Sequence, residues 1–180
     1  MSLALSLPAW LDEVNAVSYR FEDDETAMAF AVALSRRNVE DGGGPFAALV
    51  LSTQGDVVAA GVNRVVSSRA SILHAEMLAL LLAQQRMGTH DLSAAGRFTL
   101  VTTCAPCAMC LGAIPWSGIA RVVCGARGED AERIGFDEGD KPARWQQGLR
   151  RRGILLREDV CRDEVLQVLG EYRQSGRPLY

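Results

Sequence analysis

The stretch TTCAPCAMC, residues 102–110, holds three cysteines, Cys104, Cys107 and Cys110, each three residues after the last. It contains two overlapping C-x-x-C pairs, CAPC and CAMC. Only one can act as a metal or redox pair at a time, and the choice depends on where the local structure changes. The residues just before, RFTLVTT (97–103), are rich in strand formers, whereas PCAMCLGAI (106–114) carries good helix formers. A strand therefore runs straight into a helix. Cys104 ends the strand and would have to reach around the turn, across Pro106, to join Cys107. Cys107 and Cys110 lie three apart in the first helical turn and share one face. Pro106 suits a helix start. Free N–H groups and the positive dipole end favour thiolate there, the form that binds metal. CAMC is the pair we assign as ligands.

Outward from this join, strands and helices alternate. DDETAMAFAVALSRRNVE (23–40) reads as a helix, with Ala27, Phe30, Ala31 and Leu34 on one face and Asp24 as N-cap. DGGGP (41–45) breaks it. FAALVLS and VVAAGV, either side of TQGD, read as a hairpin. HAEMLALLLAQQRMG (74–88) is a second helix, stopped by Gly88. After the strand–helix join come a strand at RVVCGA (121–126), a helix around 143–152, a short strand at GILLRE, and a last helix near 160–174. This order predicts an α/β fold: a three-layer α/β/α sandwich with a mixed five-stranded sheet. One domain, 1–180, suits the length.

The composition, 48% apolar and 23% charged, is that of an ordinary globular protein. The net charge of −3 argues against phosphate-backbone binding as the main activity. The basic cluster Arg144, Arg150, Arg151 and Arg152 reads as a solvated helix face. Five cysteines, three within seven residues, fit metal-bound thiolates in a reducing cytoplasm better than a disulfide scaffold. Cys124 and Cys161 read as small buried apolar residues. The leader MSLALSLPAWLDEV lacks a basic start and turns acidic at once, so it reads as a packing arm. No apolar run approaches the length that spans a bilayer.

A catalytic zinc takes three protein ligands and leaves a fourth place for water. Of the two histidines, His90 sits in a polar loop and His74 opens an apolar helix, two residues before Glu76. His74, Cys107 and Cys110 are the predicted ligands of one Zn2+. H-x-E followed by P-C-x-x-C is the signature of the zinc nucleobase deaminases. A lone C-x-x-C would leave a redox motif or a structural zinc as alternatives. Hydrolytic deamination needs an activated water and a carboxylate that carries its proton to the ring and helps the amino group leave. Glu76 is the candidate. On a regular helix residues two apart point roughly 200° from each other. His74 and Glu76 can therefore converge only beyond a helix end, which two helix N-termini meeting over one zinc would satisfy.

With GGPFAA (43–48), GVNRV (61–65), HAE, PCAMCLGAIPWSG (106–118) and IGFDEG (134–139), the chain resembles the cytidine-deaminase-like superfamily. Within it, the small bacterial guanine deaminases are the most similar group. The resemblance runs from GGPFAALV to the final tyrosine. It implies a small-molecule nucleobase substrate, guanine, converted to xanthine and ammonia. Asn63 would hydrogen-bond the purine edge; Phe46 and Trp116 would help wall the base pocket, and Ala75 would belong to the substrate-binding residues. Glu138 would be a second acid that grips guanine and assists proton transfer, and Tyr180 would approach the site. It also implies a homodimer, often with a C-terminal segment exchanged between subunits. Alternative activities are deamination of cytosine or an aminotriazine, or of adenosine in transfer RNA; a non-enzymatic alternative is a structural-zinc or thiol-redox domain. Two positions depart from the family pattern. Ala105 stands where relatives usually carry an acid, which removes a supporting hydrogen bond. Pro115 falls late in the predicted helix and should kink or end it.

Overall fold

The computed structural model describes residues 7–180. Five strands form one sheet in the order β2-β1-β3-β4-β5. They are β1 (Ala47–Leu51), β2 (Val57–Val62), β3 (Thr99–Cys104), β4 (Arg121–Ala126) and β5 (Leu155–Arg157). β1 pairs antiparallel with β2 and β3, while β3–β4 and β4–β5 are parallel. The mixed sheet thus follows from the sequence order: a tight turn joins β1 to β2, and helical crossovers join the parallel strands.

The strands of the sheet centre are buried on both faces, so they read as apolar runs rather than alternating ones. On one face, Leu49, Val101 and Val123 pack against α1 (Ala9–Ala16), α2 (Asp24–Glu40) and α8 (Arg162–Gln174). On the other, Val50, Leu100 and Val122 meet α4 (Ala75–Met87), α5 (Ala108–Ser117) and α7 (Trp145–Arg151). The period-2 alternation of strand side chains produces these two cores, and with them the three layers. Short α3 (Val65–Ser68) and α6 (Gly128–Ile134) border the site.

Details differ from the sequence reading. Asp23, not Asp24, caps α2: its carboxylate accepts the Thr26 N–H at 2.7 Å from an extended backbone. Asp24 is the first helical residue and pairs with Arg121 and Arg157. The leader contains α1, whose Trp10, Leu11 and Val14 are buried; residues 1–6 of that arm lie outside the described residues. Cys124 is buried, but Cys161 is half-buried at φ 49° ahead of α8. Pro115 lies inside α5, which ends two residues later at Ser117 and is capped by Gly118 in the left-handed conformation. Among the described residues no helix is long and apolar enough to cross a membrane.

Gly61 fixes the height of α4 above the sheet. A Cβ there would lie 2.4 Å from the Ala75 carbonyl oxygen and 2.4 Å from the Ala79 nitrogen. The helix backbone rests directly on the strand, a contact that any side chain would prevent.

Candidate functional site

The site lies where the N-termini of α4 and α5 converge, beyond the end of β3. His74 precedes α4 at φ −68°, ψ 157°, and Cys107 precedes α5 at φ −65°, ψ 174°. Both are N-cap residues in extended conformation. The expected first-turn pair is therefore split: Cys107 is the cap, Cys110 the third helical residue. Pro106 stands one place further out, where its missing N–H ends the strand. The same geometry resolves H-x-E. His74 is not helical, so the helical rotation does not separate it from Glu76.

The ligand atoms of His74, Cys107 and Cys110 all lie within 4.8 Å of one another. The His74 Nδ1 to Cys107 Sγ distance is 3.5 Å. Tetrahedral zinc with ordinary Zn–S and Zn–N bonds gives an N···S edge of about 3.6 Å, so one imidazole and two thiols fit that ion. Cys104 is outside this group; its thiol faces the Arg127 carbonyl at 3.4 Å, and burial pushes its pKa well up. CAMC, not CAPC, supplies the converging sulfurs. Cys107 is held down to about 4 by the hydrogen bond from Cys110 and by His74, and the same contact pushes Cys110 up. Burial disfavours the His74 cation, but the hydrogen bond with Cys107 and the charge of Glu76 outweigh it, and its pKa is raised.

Two acids face the pocket. Glu76, in the first turn of α4, is pushed up to about 7 by burial and by the Cys107 charge. Glu138, in the loop after α6, is raised by burial, against which the Lys141 ammonium works at 2.8 Å. The Glu138 carbonyl accepts the Ala108 N–H at 2.9 Å, which ties this loop to the start of α5.

Phe46, Asn63, Phe136 and Tyr180 complete the lining. Asn63 Oδ1 accepts the Val65 N–H at 3.2 Å and the Tyr180 hydroxyl. Its side-chain NH2 is left to donate into the pocket. Asn38 fixes this loop from beneath: its NH2 donates to the Gly44 and Asn63 carbonyls, both at 2.8 Å, and its oxygen accepts from Arg64 at 3.0 Å. A Cβ on Gly44 would lie 2.2 Å from the Tyr180 hydroxyl. Tyr180 packs edge-on to Phe136 at 5.3 Å, and its carbonyl accepts the Asp137 N–H at 3.1 Å. With this tail in place the cavity is about 20 Å³, room for a water and not for a purine.

Two predicted substrate-binding residues lie elsewhere. Trp116 is 82% exposed on the far side of α5, where it borders an apolar groove with Ile72, Met77 and Leu81. Its place late in the helix turns it away from the N-terminal site. Ala75 is fully buried in the core between α4 and the sheet, its carbonyl oxygen against Gly61, and its side chain is not among those lining the pocket. Asn38 and Lys141 were missed. An asparagine on the buried face of α2, and a lysine three residues after Glu138, were the available signals.

Residues 21–126 match the family model of the cytidine and deoxycytidylate deaminase zinc-binding region. The guanine deaminase of Nitrosomonas europaea superposes with a TM-score of 0.94 at 44% identity, covering 96% of this chain and 97% of that one. The protein NE0047, solved as a variant in complex with 8-azaguanine, also gives a TM-score of 0.94 at 44% identity, over 96% of this chain and 98% of that one. The guanine deaminase of Bacillus subtilis is 38% identical over 126 residues, 66% of this chain and 78% of its own length.

Proposed function

This chain belongs to the zinc-binding cytidine and deoxycytidylate deaminase family, and from that premise we propose that it hydrolyses guanine to xanthine and ammonia. The observation that carries guanine is the second buried acid, Glu138, facing the same pocket as Glu76 and the Asn63 amide. Guanine offers both a ring N–H for an acid to accept and ring nitrogens for an amide to donate to. The relatives named for guanine deamination, and the neighbour holding 8-azaguanine, support the same reading.

His74, Cys107 and Cys110 would hold the zinc. When bound, zinc activates a water for attack at neutral pH. Glu76 would take one proton from that water and pass it to the hydrogen-free ring nitrogen beside C2, then take the second from the hydroxyl added at C2 and deliver it to the amine as the C2–N bond breaks. A buried carboxyl titrating near neutrality is suited to both halves of that exchange. Asn63 donates to a purine acceptor, and Glu138 accepts the ring N–H. Phe46 and Phe136 wall the base, and the Tyr180 ring withdraws to admit it.

The protein acts as a cytoplasmic homodimer in this reading. Its free thiols suit a reducing compartment, and the Trp116 groove is an unpartnered apolar face. Light scattering gives the subunit number, and cross-linking of Tyr180 to the Asn63 loop tests the exchanged tail.

An ammonia-release screen over guanine, adenine, cytosine, their nucleosides and aminotriazines tests the substrate. Guanine should be turned over fastest; preference for a pyrimidine or triazine refutes the purine assignment. Glu76→Gln should keep about one zinc per chain and lose turnover by roughly 10²–10⁴-fold. Full activity would remove Glu76 from its role.

A further inference from the structure

Glu76 and Glu138 share a pocket, but among the described residues only Glu138 forms an ion pair with a lysine or arginine. The charges acting on Glu76 are Cys107, His74 and Glu138. Glu138 feels repulsion from Cys107 and Glu132, offset by Lys141. The Lys141 Nζ lies 2.8 Å from Glu138 Oε2, with both side chains largely buried, 13% and 8% exposed. Across the pair stands Gly128. A Cβ there would meet Lys141 Nζ at 2.3 Å and Glu138 Oε2 at 3.3 Å. Gly128 is the first residue of a helix, so its backbone admits any residue. Only the space taken by the ion pair requires a glycine.

We propose that Lys141 is a positioning residue for Glu138: lodged against Gly128, it holds the carboxylate in one orientation and leaves Oε1 as the single oxygen offered to substrate. This rests on the deaminase reading above and divides labour between the two acids. Glu76, without a lysine or arginine partner, carries protons. Glu138, oriented by Lys141, presents one oxygen to accept a hydrogen bond. It therefore selects heterocycles that present a ring N–H at that point; a ring presenting a lone pair there meets a like charge. Selection against a mispaired polar edge exceeds what shape alone provides.

The ammonium can be reached from outside. A cleft of about 440 Å³, lined by Arg127, Glu129, Glu132 and Trp145, opens onto Lys141. Lys141→Ala should therefore accept an added amine. The expected result is a loss of roughly 10- to 100-fold in kcat/KM for guanine, with zinc content unchanged. n-Propylammonium should restore activity saturably, and tetramethylammonium, which has no N–H, should not.

Gly128→Ala supplies the second arm. Its Cβ collides with the flexible end of Lys141, so the chain still folds while the ammonium is displaced. It should lower kcat/KM in the wild-type background and have little effect on Lys141→Ala, a non-additive cycle. Wild-type kcat/KM in Lys141→Ala, a loss that n-propylammonium does not reverse, or additive losses in the double variant would each overturn the proposal. If the wild-type protein deaminates another ring but not guanine, the substrate reading fails, and the same variants are then measured on that ring.

Discussion

Gly61→Ala isolates the mechanical link between the sheet and the site. The backbone of Gly61 lies in an ordinary strand conformation, so alanine brings no dihedral strain. The added Cβ would sit 2.4 Å from both the Ala75 oxygen and the Ala79 nitrogen. These are helix backbone atoms, which cannot rotate away. Relief to ordinary contact requires α4 to lift by about 1 Å. Overpacking of this size costs roughly 1–3 kcal/mol, which lowers Tm by about 2–12 °C in a chain of this size. The larger effect falls on the chemistry. His74 and Glu76 ride on α4, whereas Cys107 and Cys110 belong to α5, so the lift separates one zinc ligand from the other two. A displacement near 1 Å costs on the order of 10²-fold in rate. The assay pairs a zinc-competition titration with guanine turnover below the new Tm. Both zinc affinity and kcat should fall. A variant that loses stability but keeps zinc affinity and kcat would show that α4 is not positioned by this contact.

Other outcomes follow from the same geometry. Gly170→Ala, in α8 where nothing lies within 4 Å of the new Cβ, should stabilise the fold by about 0.5–1 kcal/mol without changing turnover, read by chemical denaturation. Cys110→Ala should abolish stoichiometric zinc in metal analysis, whereas Cys104→Ala should retain it. Asp130, buried and accepting from Arg162, Arg133 and the Arg127 N–H, is held well below the usual carboxylate range by those bonds. Its folded pKa is depressed, so its stabilisation is complete above the unfolded pKa and is lost as pH falls towards the folded one. Asp130→Asn should cost about 1–2 kcal/mol at pH 7, because the arginines it leaves are largely solvated and the amide keeps one acceptor. In denaturation curves that gap should narrow below about pH 4.

The layers were legible because each strand and crossover helix carries its own period, and the turn residues between them are unambiguous. The zinc ligands were legible because H-x-E and P-C-x-x-C match jointly and because chemistry restricts which thiols can converge. Roles that depend on direction were harder. Trp116 stands in a stretch dense with site residues, yet a ten-residue helix presents its two ends to different neighbours, and Trp116 points to solvent. Ala75 sits between two site residues and still turns to the sheet. Asp23 and Asp24 are equivalent in composition; only backbone conformation decides which one caps. Asn38 and Lys141 act on Asn63 and Glu138 from another segment or from a loop without periodicity, so the only marks they leave are a polar residue on the buried face of α2 and a lysine three places after Glu138.

Ala105 has a wider consequence. It lines both the base pocket and the outer cleft beside Lys141. One methyl group is thus part of the partition between the two cavities. A thin neutral wall makes the substrate range open to engineering. Ala105→Gly would thin that wall by one methyl group, and turnover of purines that carry an added substituent would read whether the two cavities then communicate.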